Sequence, residues 1–137
     1  MKPNPKQFAL TVGAYLLATM IVQPLNHFAI NKAHYAAVSF VRPDPIFPLG
    51  MSSMLVQGAV MAWLFPRVRG AGGGLAEALK FALIMGAFLG SYMVLAEPAK
   101  YQVPSVASWM GVEALATLLQ YALFGLLLGL IYRDRQA

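Results

Sequence analysis

The chain has 137 residues, about one domain's worth, and 59% of them are apolar against 11% charged. Soluble domains run near ~45–50% apolar and ~25% charged, and one this small buries too little of its surface to hide the excess. Composition therefore argues against a disordered chain, a disulfide scaffold (there is no Cys) and a water-soluble fold, and it points to a membrane protein.

A bilayer-spanning helix needs about 20 apolar residues, and four segments supply them. The first, residues 8–30, follows Lys2 and Lys6. No small-x-small cleavage site comes after it, so it reads as a retained span rather than a signal peptide. Pro24 removes one backbone donor and predicts a kink. Residues 31–40 are too polar to span, and are expected to prolong the helix along the surface with Tyr35 and Phe40 as interfacial anchors. Arg42-Pro43-Asp44-Pro45 is an extended loop. The second span covers 48–66. Gly70 to Gly74 then form a flexible linker, not a phosphate loop, because the Gly-Lys-Ser/Thr ending is missing. The third span covers 78–97, with Pro98 expected to end it. Ser108 is the expected cap of the fourth, 109–132. Barrel strands would alternate in polarity, and Leu115 to Ile131 does not. The predicted fold is all-α: one integral membrane domain over residues 1–137, a transmembrane four-helix bundle.

Lys and Arg set the orientation. Lys2, Lys6, Arg67, Arg69, Lys80, Arg133 and Arg135 lie on one side, and Lys32, Arg42 and Lys100 on the other, seven against three. Both termini are therefore expected in the cytoplasm of a bacterial cell, with the chain in its inner membrane. The net charge of +5 is mostly this bias. It predicts no nucleic-acid partner, since a clustered basic face on a soluble surface is missing.

The first and third spans align: Phe8-Ala9-Leu10 with Phe81-Ala82-Leu83, Gly13-Ala14-Tyr15-Leu16 with Gly86-Ala87-Phe88-Leu89, and Gln23-Pro24 with Glu97-Pro98 after one residue of slippage. This predicts an internal repeat of two parallel helical hairpins with pseudo-two-fold symmetry; shared apolar composition is the competing explanation. Small-residue faces at Gly86 and Gly90, Gly125 and Gly129, Ala14 and Ala18, and Gly58 and Ala62 predict close helix packing within the bundle, or self-association through a leftover face.

Polar groups in a bilayer are costly and ask for a reason. Near the midplane lie Gln57, Gln120, Tyr121, Ser91 and Tyr92, read as hydrogen bonds across helices or as a polar track. Toward the outer side lie Gln23 and His27, one turn apart on one face, with Glu97, Glu113, His34, Arg42 and Tyr35. Glu113 is the one acid placed inside a span. Desolvation penalises its charge unless it pairs, and Arg42 or His27 is the expected partner. Three readings compete for this layer. Its residues pair and set helix register at the interface. Alternatively they form an outward-facing ligand or proton-linked pocket around His27 and Glu113. A metal site is the third, with His27, His34, Met51 and Met54 as ligands, although no tight ligand motif is present and Met commonly fills cores.

Enzyme signatures such as Gly-x-Ser-x-Gly and His-Glu-x-x-His are missing, and no residue type or spacing names a cofactor. The leading reading is a non-enzymatic accessory or interaction subunit of a homo-oligomer or larger membrane complex, with the lipid bilayer and a protein partner or second copy as its contacts. The alternative is a small transporter or ligand-binding membrane protein.

At Asn26-His27, Tyr35, Val41-Arg42-Pro43 and Gly129-Leu130-Ile131-Tyr132-Arg133 the chain resembles a group of short, uncharacterised bacterial four-span proteins. Their pattern is Asp-x-x-Ile-His-Gly closing the first span, then a Tyr, then Trp-Arg-Pro, and a final Gly-Leu-Ile-Tyr-Arg. Here Gln23 stands for the Asp, Asn26 for the Ile and Val41 for the Trp. The resemblance implies a membrane location and a four-span architecture, and it draws attention to His27, Tyr35 and Arg42.

Overall fold

The first helix, α1 (Pro5–Pro24), begins where Asn4 accepts the Lys6 amide at 2.9 Å and Pro5 occupies a first-turn position that needs no donor. The computed structural model describes residues 4–70 and 73–133; Lys2, Arg135 and part of the glycine linker lie outside them. Pro24 does not break α1. The chain passes into a π-helical turn, Leu25–Ile30, and then into a short helix, α2 (Lys32–Ala36). Next come α3 (Phe47–Val68), α4 (Leu75–Ser91), a second π-helical turn (Tyr92–Ala96), α5 (Glu97–Lys100) and α6 (Val106–Ile131).

Four continuous stretches are long and apolar enough to cross a membrane: Pro5–Ile30, Phe47–Val68, Leu75–Lys100 and Val106–Ile131. The protein is an all-helical integral membrane protein. Two local expectations are corrected. The cap of α6 is Ser105, whose side chain accepts the Ser108 amide at 3.2 Å, so the helix starts earlier than its apolar run. Pro98 does not end the third span, which runs on to Lys100. The preceding π turn explains why. In that turn the Glu97 amide reaches back five residues to Tyr92, and the same step from residue 98 would end on Met93. Proline has no amide to give. Trp109 fills the gap, its indole N–H donating to the Met93 carbonyl at 3.0 Å.

The start of α1, the end of α3, the start of α4 and the end of α6 lie at one end, called proximal below. The 31–46 and 101–105 connections form the distal end. The hairpin partners α1 and α3 pack together, as do α4 and α6, and α1 also packs along α6. The remaining pair, α3 and α4, makes far less contact; it meets through Phe65 and Phe81, whose ring centroids are 5.1 Å apart. Only the first and third spans carry π turns, each beside a proline.

Glycine lets α4 and α6 approach closely. A Cβ on Gly86 would lie 2.8 Å from the Tyr121 ring, and one on Gly90 would lie 2.6 Å from Thr117. Gly125 and Gly129 do the same against Leu79 and Leu75. Lipid tails are as apolar as Leu, so this van der Waals fit supplies much of the helix association. Met61, Phe65, Phe81, Phe124, Leu128 and Tyr132 fill the proximal core, and a smaller cluster of Tyr35, Val38 and Trp109 closes the distal end.

Candidate functional site

Side chains on α6 at i, i+4 and i+11 spacing share one face: Trp109, Glu113 and Gln120 all lie on it and are all buried. Glu113 sits about 10 Å along the helix at ~1.5 Å per residue and is 3% exposed. Its hydrogen-bond partner is neither Arg42 nor His27 but the phenol of Tyr35. Arg42 and Asp44 are exposed on their loop. Tyr35 was expected as a surface anchor; it is 5% exposed, with its hydroxyl also accepting from Asn26 Nδ2 at 2.7 Å. Asn31 Nδ2 in turn donates to Asn26 Oδ1 at 2.6 Å.

Asn26 and His27 both lie in the π turn. Thr11, Tyr15 and Thr19 are buried on the inner face of α1, with the half-buried Gln23 one turn further on. Asn26, seven residues on from Thr19 and so back on the inner face, is buried. Single π turns of this kind recur at functional sites. His27 donates from Nδ1 to the Gln23 carbonyl at 3.0 Å and lies flat on Tyr35, with centroids 3.8 Å apart and planes at 16°.

Burial, and then the hydrogen bond to Glu113, push the Tyr35 hydroxyl well above its ordinary pKa of 10.0. Tyr35 therefore stays a neutral donor to the carboxylate. Glu97 is half-buried and close enough for its charge to act on both Tyr35 and Glu113. His34 stacks on Trp109 at 5.2 Å with its Nε2 buried and unpartnered. Beside these two rings is a cavity of about 150 Å³, also lined by Ser105 and Ser108.

The two polar layers expected from the sequence are joined. Gln23 donates to Gln120 Oε1 at 2.6 Å, and Gln120 Nε2 donates to Thr19 at 2.9 Å and to the Tyr15 hydroxyl at 3.4 Å. Tyr15 bonds to Gln57 and lies 3.0 Å from the Tyr121 hydroxyl. Gln57 also donates to Ser53 at 3.1 Å. Tyr92 and Ser91 stay outside this network. Tyr92 is exposed and accepts from Lys100 at 2.5 Å, and Ser91 bonds back to Phe88.

His27, Gln23, Tyr35, Glu113 and Glu97 are thus brought together, while Arg42 and Tyr92 are not. Met51 is exposed and Met54 packs against the proximal core. Among the described residues no three His, Asp or Glu side chains gather as a metal site would require. Sequence reasoning missed Asn26, Asn31, Thr19 and Tyr15 as members of the network; the i+4 run from Thr11 to Gln23 was the available signal for the last two. Comparison with protein families, curated proteins and solved structures finds no match to this chain.

Proposed function

We propose that this protein is a small transporter or ligand-binding membrane protein that works through a proton-binding carboxyl, Glu113, at its outward end. The single observation behind this reading is the setting of Glu113. It is an acid buried within a span, and its hydrogen-bond partner is a neutral phenol rather than a cation. Register and glue would be served as well by Gln at that position, without the desolvation cost of a carboxylate. A carboxyl held by a neutral donor can gain and lose a proton without breaking an ion pair. Tyr35 carries His27 stacked on its ring and Asn26 bonded to its hydroxyl, Glu97 is near enough for its charge to act, and the positive-inside bias of the sequence supports an outward orientation of this end. The resemblance to bacterial four-span proteins directs attention to His27 and Tyr35; Tyr35 bonds to Glu113 and His27 stacks on Tyr35.

The test is pH-difference infrared spectroscopy of the reconstituted protein, together with mass spectrometry of small molecules that co-purify. We expect a titrating carboxyl band that disappears in Glu113→Gln, and a co-purifying molecule that is lost in the same variant. If Glu113→Gln titrates and co-purifies like the parent, the carboxyl is structural and the reading falls.

An accessory-subunit role is favoured by a different observation. α3 packs mainly on α1, leaving Phe47, Leu49 and Val56 of its distal half exposed. A protein partner or second copy retained in fixed ratio through mild detergent would support that role; a monomer with a bound small molecule would exclude it.

A further inference from the structure

The proximal end carries chemistry that the distal site does not use. Lys6, Arg67, Lys80 and Arg133 are all exposed there, on or next to α1, α3, α4 and α6. Glu77 is the one acid among the described residues at this end. Its carboxylate is turned into the connector, where it accepts the Gly70 amide at 2.9 Å. The exposed cations therefore face the membrane surface with that carboxylate already engaged.

Arg67 is set apart by its geometry. It lies in the last turn of α3, where a cation suits the helix C-terminus. Its guanidinium packs 4.1 Å from the centroid of the Trp63 ring and donates one N–H to the Trp63 carbonyl. Trp63 is 52% exposed, and an indole at a helix end belongs at the headgroup level. A guanidinium has five N–H donors in a planar fork, so most remain for an outside acceptor. Holding the fork against the ring and the backbone removes much of the rotamer freedom an arginine would otherwise lose on binding. A fixed, flat, cationic fork at headgroup depth matches a phosphate ester, which it can take with two parallel hydrogen bonds.

We infer that Arg67 and Trp63 form a docking site for the headgroup of an anionic phospholipid, reinforced by the field of Lys6, Lys80 and Arg133. The charge complementarity selects an anionic lipid over a zwitterionic one, at roughly fivefold for the one cation bonded to the headgroup.

The experiment uses the full chain in bilayer nanodiscs and reads tryptophan fluorescence. There are only two tryptophans, and Trp109, buried at the other end, supplies the unquenched background. Brominated phosphatidylglycerol is titrated against brominated phosphatidylcholine at equal mole fraction. We expect phosphatidylglycerol to quench Trp63 with an apparent affinity about fivefold greater. In Arg67→Gln the preference should drop below about twofold, with an unchanged helical circular-dichroism spectrum. Arg67→Lys should keep part of it, as a point charge without the fork. Equal quenching by the two lipids overturns the inference, and so does a full preference surviving in Arg67→Gln. Inorganic phosphate is added in a further arm. If it abolishes the preference at concentrations too low to screen charge generally, the site takes free phosphate and the lipid assignment is wrong. None of these outcomes depends on the distal carboxyl.

Discussion

The two halves of the bundle are built along the same helix and hold together differently. On α6 one buried stripe runs Glu113, Gln120, Phe124, Leu128. Its distal portion is held by hydrogen bonds to Tyr35, Gln23, Thr19 and Tyr15; its proximal portion is packed by Met61, Phe65 and Phe81. In lipid the hydrophobic effect does not distinguish inside from outside, so shape and hydrogen bonds must do so. The proximal half relies on shape. The distal half relies on directional bonds, which leave the arrangement sensitive to a single proton or a single lost partner.

The comparison can be broken most severely on the packed side. Phe124→Ala should cost about 3–5 kcal/mol, as large-to-small changes in close-packed cores do, read as a lower unfolding midpoint in detergent. It should leave the environment of Tyr35 unchanged. Tyr35→Phe should cost less overall, about 1–3 kcal/mol for each buried group left unpaired, but it leaves Glu113 and Asn26 both without that hydroxyl. Hydrogen exchange over residues 32–36 should rise sharply while the amides around Phe124 stay protected. Gln120→Leu should have a smaller effect, about 0.6–2 kcal/mol for each interhelical bond lost. It should also uncouple Gln23 from Thr19 and Tyr15, visible as faster exchange in the distal part of α1.

A pH titration sharpens the contrast at least cost. The Tyr35 hydroxyl has a raised pKa in the folded protein and an ordinary one, 10.0, when unfolded. Its contribution is therefore fully present below pH 10. Above that the unfolded chain gives up a proton that the folded chain keeps, and stability declines as pH rises. The decline should be shallower in Tyr35→Phe than in the parent, by unfolding midpoints measured across the alkaline range.

The spans were legible in the sequence because hydropathy over 20 residues averages out local detail. The two π turns were not legible, because a single extra residue in a turn leaves composition and hydropathy untouched. Asn26, within the first of them, is buried and donates to the Tyr35 hydroxyl that bonds to Glu113. Counting along a regular helix places Gln23 and His27 on one face and gives the depth of Glu113 well enough. It cannot give the partner of Glu113, because Tyr35 arrives from beyond an irregular turn and a short helix. The union of the two polar layers was missed for a related reason. Depth separates Gln23 from Gln120 in a helix-by-helix reading, but glutamine side chains are long enough to close the gap.

The bond from the Trp109 indole to the Met93 carbonyl bears on how the protein is made as well as how it stands. Until the fourth span is in place, the third carries an amide-less proline and a carbonyl with no donor at membrane depth. A bilayer accepts such a segment poorly by itself. The last two spans are thus best delivered to the membrane as a pair, with Trp109, near the start of α6, the first part of the newcomer to meet the defect it repairs. A chain truncated before residue 106 should insert its third span inefficiently, and a Trp109→Phe chain should show the same biogenesis fault at full length.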